Sequence, residues 1–147
     1  MKWDFFLQNL TQMNYWIVKS EPAKYAYQTL EKEGRTVWDG VRNFQARNNL
    51  REMRVGDICC YYHSNDGKAI VGLAKVLKES YQDPTTNDPN WVVVEIGPFQ
   101  QLKSPVTLEQ MKSTPKLSNI GLIRQGRLSV MKITKDEFDT ILELSQN

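Results

Sequence analysis

Five arginines crowd into one stretch (Arg35, Arg42, Arg47, Arg51 and Arg54), opposed within it only by Asp39 and Glu52. That is a local charge of +3 in a chain whose total is +2, so the remainder is nearly neutral. Arg47, Arg51 and Arg54 fall at i, i+4 and i+7 of a helical pattern, with Asn43 four residues earlier on the same face. A guanidinium grips phosphate oxygens through forked hydrogen bonds and also stacks on rings, so arginine here suits phosphate binding. A solvated helix face is the competing reading of the same charges. Three further clusters carry chemistry. Lys19-Ser20-Glu21 ends an apolar run at Pro22, Trp38-Asp39-Gly40 sets a large ring beside a flexible backbone, and Tyr62-His63-Ser64-Asn65 puts four polar side chains in a row. A stacking ring, short polar groups and cations outside are what a pocket for a nucleobase requires. Each cluster also has a structural alternative, a core tryptophan or an ordinary turn.

Catalytic alternatives find little support. His63 is the only histidine, so no histidine cluster can hold zinc and any hydrolytic triad would depend on it alone. Ser64 beside it points the other way on an extended chain, which leaves His63 as a hydrogen-bonding wall residue. Glu21 and Asp39 are carboxylates that nothing in the sequence places together. The two cysteines, Cys59 and Cys60, are neighbours on a strand and face opposite sides, poor partners for a disulfide or a shared metal. Nothing predicts a cofactor. Without a disulfide framework or a secretory signal, the expected setting is intracellular, the cytoplasm, or the nucleus in a eukaryote.

These residues must be held by one domain. A chain of 147 residues with 40% hydrophobic and 24% charged residues has the profile of an ordinary soluble fold. Its apolar stretches are far shorter than the ~18 residues that a transmembrane helix needs, so no membrane partner is expected. Residues 1–12 read as an appended arm, with Trp3, Phe6, Leu7 and Leu10 on one helical face that could dock a protein partner; residues 13–147 form the domain. Strands are predicted over 15–19, 58–62, 69–79, 91–96, 99–102 and 128–133. Helices are predicted over about 25–33, closed by Gly34, and over 43–53. Two capping boxes, Thr107 with Gln110 and Thr134 with Glu137, open two more helices. Residues 82–90, rich in Asp, Asn and Pro, read as an exposed loop. Strands with short helices between them, and no regular βαβ alternation, indicate an α+β domain around a small barrel or curled sheet.

The run Tyr15-Trp16-Ile17-Val18-Lys19-Ser20-Glu21-Pro22, the run from Trp38-Asp39-Gly40 through Leu50, Tyr62-His63-Ser64-Asn65 and the block Leu122 to Val130 closely resemble, in order, the signature segments of the EVE domain family. The chain looks like a stand-alone member, similar to the thymocyte nuclear protein family. The resemblance implies a PUA-like curled β-barrel of five to six strands surrounded by short helices, related to YTH domains. It also implies a non-catalytic module that binds nucleic acid carrying a modified base, modified cytosine in DNA first and a modified RNA base second. The alternatives are an enzyme acting on a nucleobase or nucleotide, and a protein-interaction adaptor. Carried over by position, Trp38 with Asp39 and Gly40 would line the base pocket, and Lys19, Ser20 and Glu21 would form a wall. Asn43, Tyr62, His63, Ser64 and Asn65 would face the base edge, Arg124, Gln125 and Ser129 would complete the rim, and Arg42, Arg47, Arg51 and Arg54 would serve phosphates. Two departures bear on ligand preference: Gly126 stands where members often carry serine, and the loop Asp66-Gly67-Lys68 is short. The sequence names neither an effector partner nor an oligomeric state.

Overall fold

The computed structural model describes residues 13–146, so the arm expected over residues 1–12 lies outside the described residues. The chain opens with strand β1 (Tyr15–Ser20), whose Trp16, Ile17 and Val18 are wholly buried. Pro22 cannot extend the strand and instead starts a one-turn helix, α1 (Pro22–Tyr25), followed by α2 (Tyr27–Glu33). The expected single helix is thus split at Ala26, whose backbone is extended. Gly34 ends α2 in the left-handed conformation (φ 78°) and donates its N–H to Leu30, as its position predicts. Short strand β2 (Thr36–Trp38) then leads to α3 (Phe44–Glu52), capped by the Asn43 side chain.

Strands β3 (Ile58–His63) and β4 (Ala69–Gln82) form an antiparallel pair, and β5 (Val92–Thr107) runs back along β4. Two strands were expected over 91–96 and 99–102, broken at Gly97-Pro98; the structure has one continuous strand instead. Pro98 is tolerated because β2 pairs only with Val94, Glu95 and Ile96, leaving no strand on the outer side of β5 at residue 98. A register shift against β4 at Leu73/Ala74 absorbs the distortion. After β5 come α4 (Leu108–Lys112), a 3-10 turn at Pro115–Leu117, α5 (Gly121–Arg124), β6 (Val130–Ile133) and α6 (Lys135–Ser145). Helices α4 and α6 both carry the predicted capping boxes.

Among the described residues the six strands make one mixed sheet in the order β2-β5-β4-β3-β1-β6. β1 lies parallel to β3 and antiparallel to β6. The expected barrel does not close: β2 and β6, of three and four residues, remain as separate edges. Four register shifts between β4 and β5 bend the sheet strongly all the same. The curl carries Trp38 of edge strand β2 to within 5.5 Å, centroid to centroid, of Tyr61 on β3, three strands further in.

Two buried anchors hold this arrangement. The Asp57 carboxylate accepts hydrogen bonds from the Trp16 indole (3.0 Å) and from the Arg54 and Asn14 backbone N–H groups (2.9 and 3.2 Å), tying β1 to the turn before β3. Tyr27, on α2, donates its hydroxyl to the Leu73 carbonyl at 2.7 Å and lies flat over Gly72 of β4. A Cβ at Gly72 would stand 2.7 Å from the Tyr27 Cε1, well inside van der Waals contact. We therefore expect Gly72→Ala to destabilise the fold by about 3 kcal/mol, read as a lower urea midpoint at unchanged slope. An unchanged midpoint would show that the Tyr27 ring shifts freely. Cys59 and Cys60 are both buried, and burial pushes the Cys60 thiol up to about 12. No described helix is long and apolar enough to cross a membrane.

Candidate functional site

Edge strand β2 and the C-terminal end of β1 face each other across a cavity of about 620 Å³. Thr36, Val37 and Trp38 of β2 line one side; Lys19 and Ser20 of β1, with Ser129 just before β6, line the other. Its size falls within the ~300–1,000 Å³ typical of small-molecule sites. This seam between β2 and the end of β1 is the candidate site, and its walls sit at strand ends.

On the β1 side, Ser64 donates its N–H to the Ser20 carbonyl (2.9 Å), and the Ser20 hydroxyl donates to the Tyr25 carbonyl (2.9 Å). The Tyr61 hydroxyl donates to that same carbonyl at 2.7 Å, fixing α1 against β3. Lys19 donates its backbone N–H to Ser129 (2.9 Å) and its ammonium to the Gly126 carbonyl (2.7 Å), which pulls the 125–129 segment onto β1. Burial lowers the Lys19 pKa.

On the β2 side, the half-buried Trp38 ring meets Tyr61 edge-on at an interplanar angle of 81°. Tyr61 is fully buried, so it forms a fixed backing for the tryptophan. Gly40 turns the chain with φ 76°, a left-handed conformation that a side chain would strain. Its N–H donates to Asp83 (3.1 Å), which also accepts from the Arg42 guanidinium (2.9 Å) and from the Thr85 N–H (2.7 Å) and hydroxyl (2.6 Å). Burial alone would raise the Asp83 pKa, but the hydrogen bonds from Thr85, Arg42 and Gly40 outweigh it and hold the carboxyl well below the usual range. Asp83 is fully buried, which corrects the expectation that residues 82–90 are simply an exposed loop. The Asp83-Pro84-Thr85 turn was the available signal: an aspartate two residues before a threonine closes an Asx turn.

The structure gathers Lys19, Ser20, Glu21, Trp38, Asp39, Gly40, Arg42, Ser64 and Ser129 on the cavity wall, together with Lys24, Tyr25 and Val41, which the sequence did not single out. It places the other candidates elsewhere. Asn43 spends its side-chain oxygen capping α3 through the Ala46 N–H (2.9 Å). Tyr62 is buried, and exposed Asn65 occupies a left-handed turn at φ 65°. Arg124 donates to the Ser118 carbonyl (3.0 Å), and Gln125 caps the end of α5. Asn43 and Arg54 flank α3 rather than belonging to it, so the four-residue helical face is shorter than its spacing predicts. Arg54 lies 3.9 Å from Glu79, and Arg51, exposed in the last turn of α3, is off the cavity wall. Arg47 donates to the Asn90 carbonyl at 3.1 Å.

His63 is buried, and its Nε2 accepts the Tyr27 N–H at 3.0 Å. Burial also lowers its pKa, which keeps the ring neutral. With its acceptor nitrogen engaged by backbone, the imidazole holds α2 on the sheet and has no lone pair to offer a substrate there.

Comparison with known proteins agrees with this architecture. The EVE domain family model matches residues 14–144. Thymocyte nuclear protein 1 of Homo sapiens is 33% identical over 174 residues, covering 95% of this chain and 76% of the relative. A solved protein from Agrobacterium tumefaciens superimposes with a TM-score of 0.88 at 38% identity, over 90% of this chain and 92% of that one. The structure of human THYN1 protein in complex with 5-methylcytosine containing DNA superimposes with a TM-score of 0.85 at 32% identity, over 91% of this chain and 98% of that one. An ASCH protein from Zymomonas mobilis, at 12% identity and a TM-score of 0.57, shares the fold alone.

Proposed function

Given that this chain belongs to the EVE domain family, we propose that it binds nucleic acid and holds a modified base, 5-methylcytosine in DNA first, in the cavity walled by Trp38. The observation that carries this reading is the seam itself: an aromatic wall faces short polar side chains and a lysine across a cavity of small-molecule size. The similarity to human THYN1 protein, solved with 5-methylcytosine containing DNA, supports the choice of ligand. The base would stack on Trp38, with Ser20, Ser64 and Ser129 available to its polar edge. Arg42, at the mouth, would meet the phosphate that follows the base out of its strand. The role is binding without turnover, and the occupied Nε2 of His63 supports that. A modified RNA base is the second ligand class.

Burying one methyl group contributes ~0.8 kcal/mol, about fourfold in affinity, so shape alone gives modest discrimination. The direct test is binding of single- and double-stranded oligonucleotides with methylated or plain cytosine, and of RNA with methylated or plain adenine, at about 50 and 200 mM salt. We expect methylated cytosine DNA to bind at least about fourfold more tightly than plain DNA at either salt, with both weakening as salt rises. Equal affinity for methylated and plain strands would overturn the base reading. Failure to bind any of them would overturn nucleic-acid binding altogether.

A further inference from the structure

Beside the cavity mouth lies a second feature, whose aromatic rings the base pocket does not use. Phe44, at the first turn of α3, is 57% exposed, unusual for so large an apolar ring. It packs against half-buried Trp91 at 4.9 Å with the planes inclined by 32°. Two guanidinium groups cover the pair: Arg47 sits 4.9 Å from the centre of Phe44, and Arg42 sits 5.7 Å from the centre of Trp91. Both arginines are held at their edges. Arg42 is fixed by Asp83 and Thr85, and Arg47 by the Asn48 side chain (2.8 Å) and the Asn90 carbonyl. The result is a fixed surface of alternating aromatic and cationic faces, built before any ligand arrives.

This surface is continuous with the cavity. Arg42 belongs to both, lining the cavity while lying over Trp91. Phe44 follows Arg42 by two residues, so their Cα atoms stand no more than ~7 Å apart. An exposed phenylalanine beside a half-buried tryptophan, interleaved with arginine, suits a planar, anionic-backed ligand, because every base offers a stacking face and every linkage a phosphate. We propose that Phe44 and Trp91, with Arg42 and Arg47, form a stacking platform for the unpaired nucleotide next to the base held in the cavity. This rests on the reading that the cavity holds a base from a nucleic-acid strand. The platform predicts that the protein reads a short single-stranded element of at least two nucleotides rather than one isolated base.

The test compares 5-methyldeoxycytidine monophosphate with a single-stranded trinucleotide carrying the same base between two adenines. We expect wild-type protein to favour the trinucleotide by roughly 5- to 150-fold, the range that one stacked base supplies. Phe44→Ala should collapse that ratio towards one, and Phe44→Trp should restore it. Because Phe44 is largely exposed, the alanine variant should fold, which circular dichroism and a urea midpoint near wild type would verify. Val55→Ser, an exposed change outside both features, should keep the wild-type ratio. Equal affinity of wild type for the mononucleotide and trinucleotide, or a ratio unaltered in Phe44→Ala, would overturn the platform. Should Phe44→Ala abolish the ratio while Trp38→Ala leaves the preference for the methylated base intact, the platform would stand and the cavity assignment would fall.

Discussion

Replacing Trp38 with alanine is expected to erase the preference for a modified base and to weaken binding by roughly 5- to 150-fold. The figure follows from the loss of one base–aromatic stack, worth ~1–3 kcal/mol. The effect should be at the high end because the wall has no substitute. Tyr61 meets Trp38 edge-on and spends its hydroxyl on the Tyr25 carbonyl, so it cannot swing forward to replace the missing ring. Trp38→Phe should retain most of the affinity, since a smaller ring still offers a stacking face. Trp38 is half-buried on a three-residue edge strand, so the alanine variant should lose only about 1–2 kcal/mol of stability and remain folded. Titration with methylated and plain oligonucleotides checks the outcome. A Trp38→Ala protein that kept the wild-type preference would show that the base lies elsewhere.

The second large effect should come from Asp83, which touches no ligand in this reading. Its carboxylate joins Gly40, Arg42 and Thr85, so Asp83→Ala leaves a guanidinium and backbone donors without their acceptor. We expect a loss of about 2–4 kcal/mol, below the full cost of breaking a buried pair because Arg42 is partly exposed and can be rehydrated. For a domain of this size that is roughly 5–15 °C in melting temperature. Binding should weaken as well, because Arg42 and the Gly40 turn would no longer be fixed at the cavity mouth. The pH dependence has a definite sign. Hydrogen bonds hold the folded pKa of Asp83 below its unfolded value of ~3.9, so its contribution is present above that value and is lost as pH falls below it. In Asp83→Asn the stability profile should be flatter through that acid range. An Asp83→Ala melting temperature equal to wild type would show that the tether is dispensable.

Much of this could be read locally. The capping boxes at Thr107 and Thr134, the Asn43 cap and the Gly34 stop are satisfied by hydrogen bonds within a few residues, so their motifs translate directly into helix boundaries. Lys19, Ser20, Trp38 and Gly40 could be singled out because strand ends and turns expose chemistry that a ladder would consume. Long-range choices were not visible. Pro98 looked like a strand break because nothing in its neighbourhood says that β5 has no partner there. Asp83 looked like a loop residue because Gly40 and Arg42 lie more than forty positions away. Helical spacing aligned Arg47, Arg51 and Arg54, yet spacing cannot say which way a face is turned, and Arg54 is set beside Glu79. His63 shows the same gap: its position marked it as a hydrogen-bonding wall residue, yet its partner, the Tyr27 N–H, could be found only in three dimensions.

The position of β1 between β3 and β6 also has a consequence for the order in which a ribosome delivers the chain. Of the two strands that flank Tyr15–Ser20, Val130–Ile133 is made more than a hundred residues after it. At ~5–20 residues per second the apolar strand waits roughly 5–20 s for that neighbour. Throughout that interval one edge of Trp16-Ile17-Val18 has no partner, and the seam lacks the wall that Ser129 supplies. The cavity wall is therefore complete only once β6 has been made, and until then the nascent domain depends on its surroundings to keep that edge from pairing with another chain.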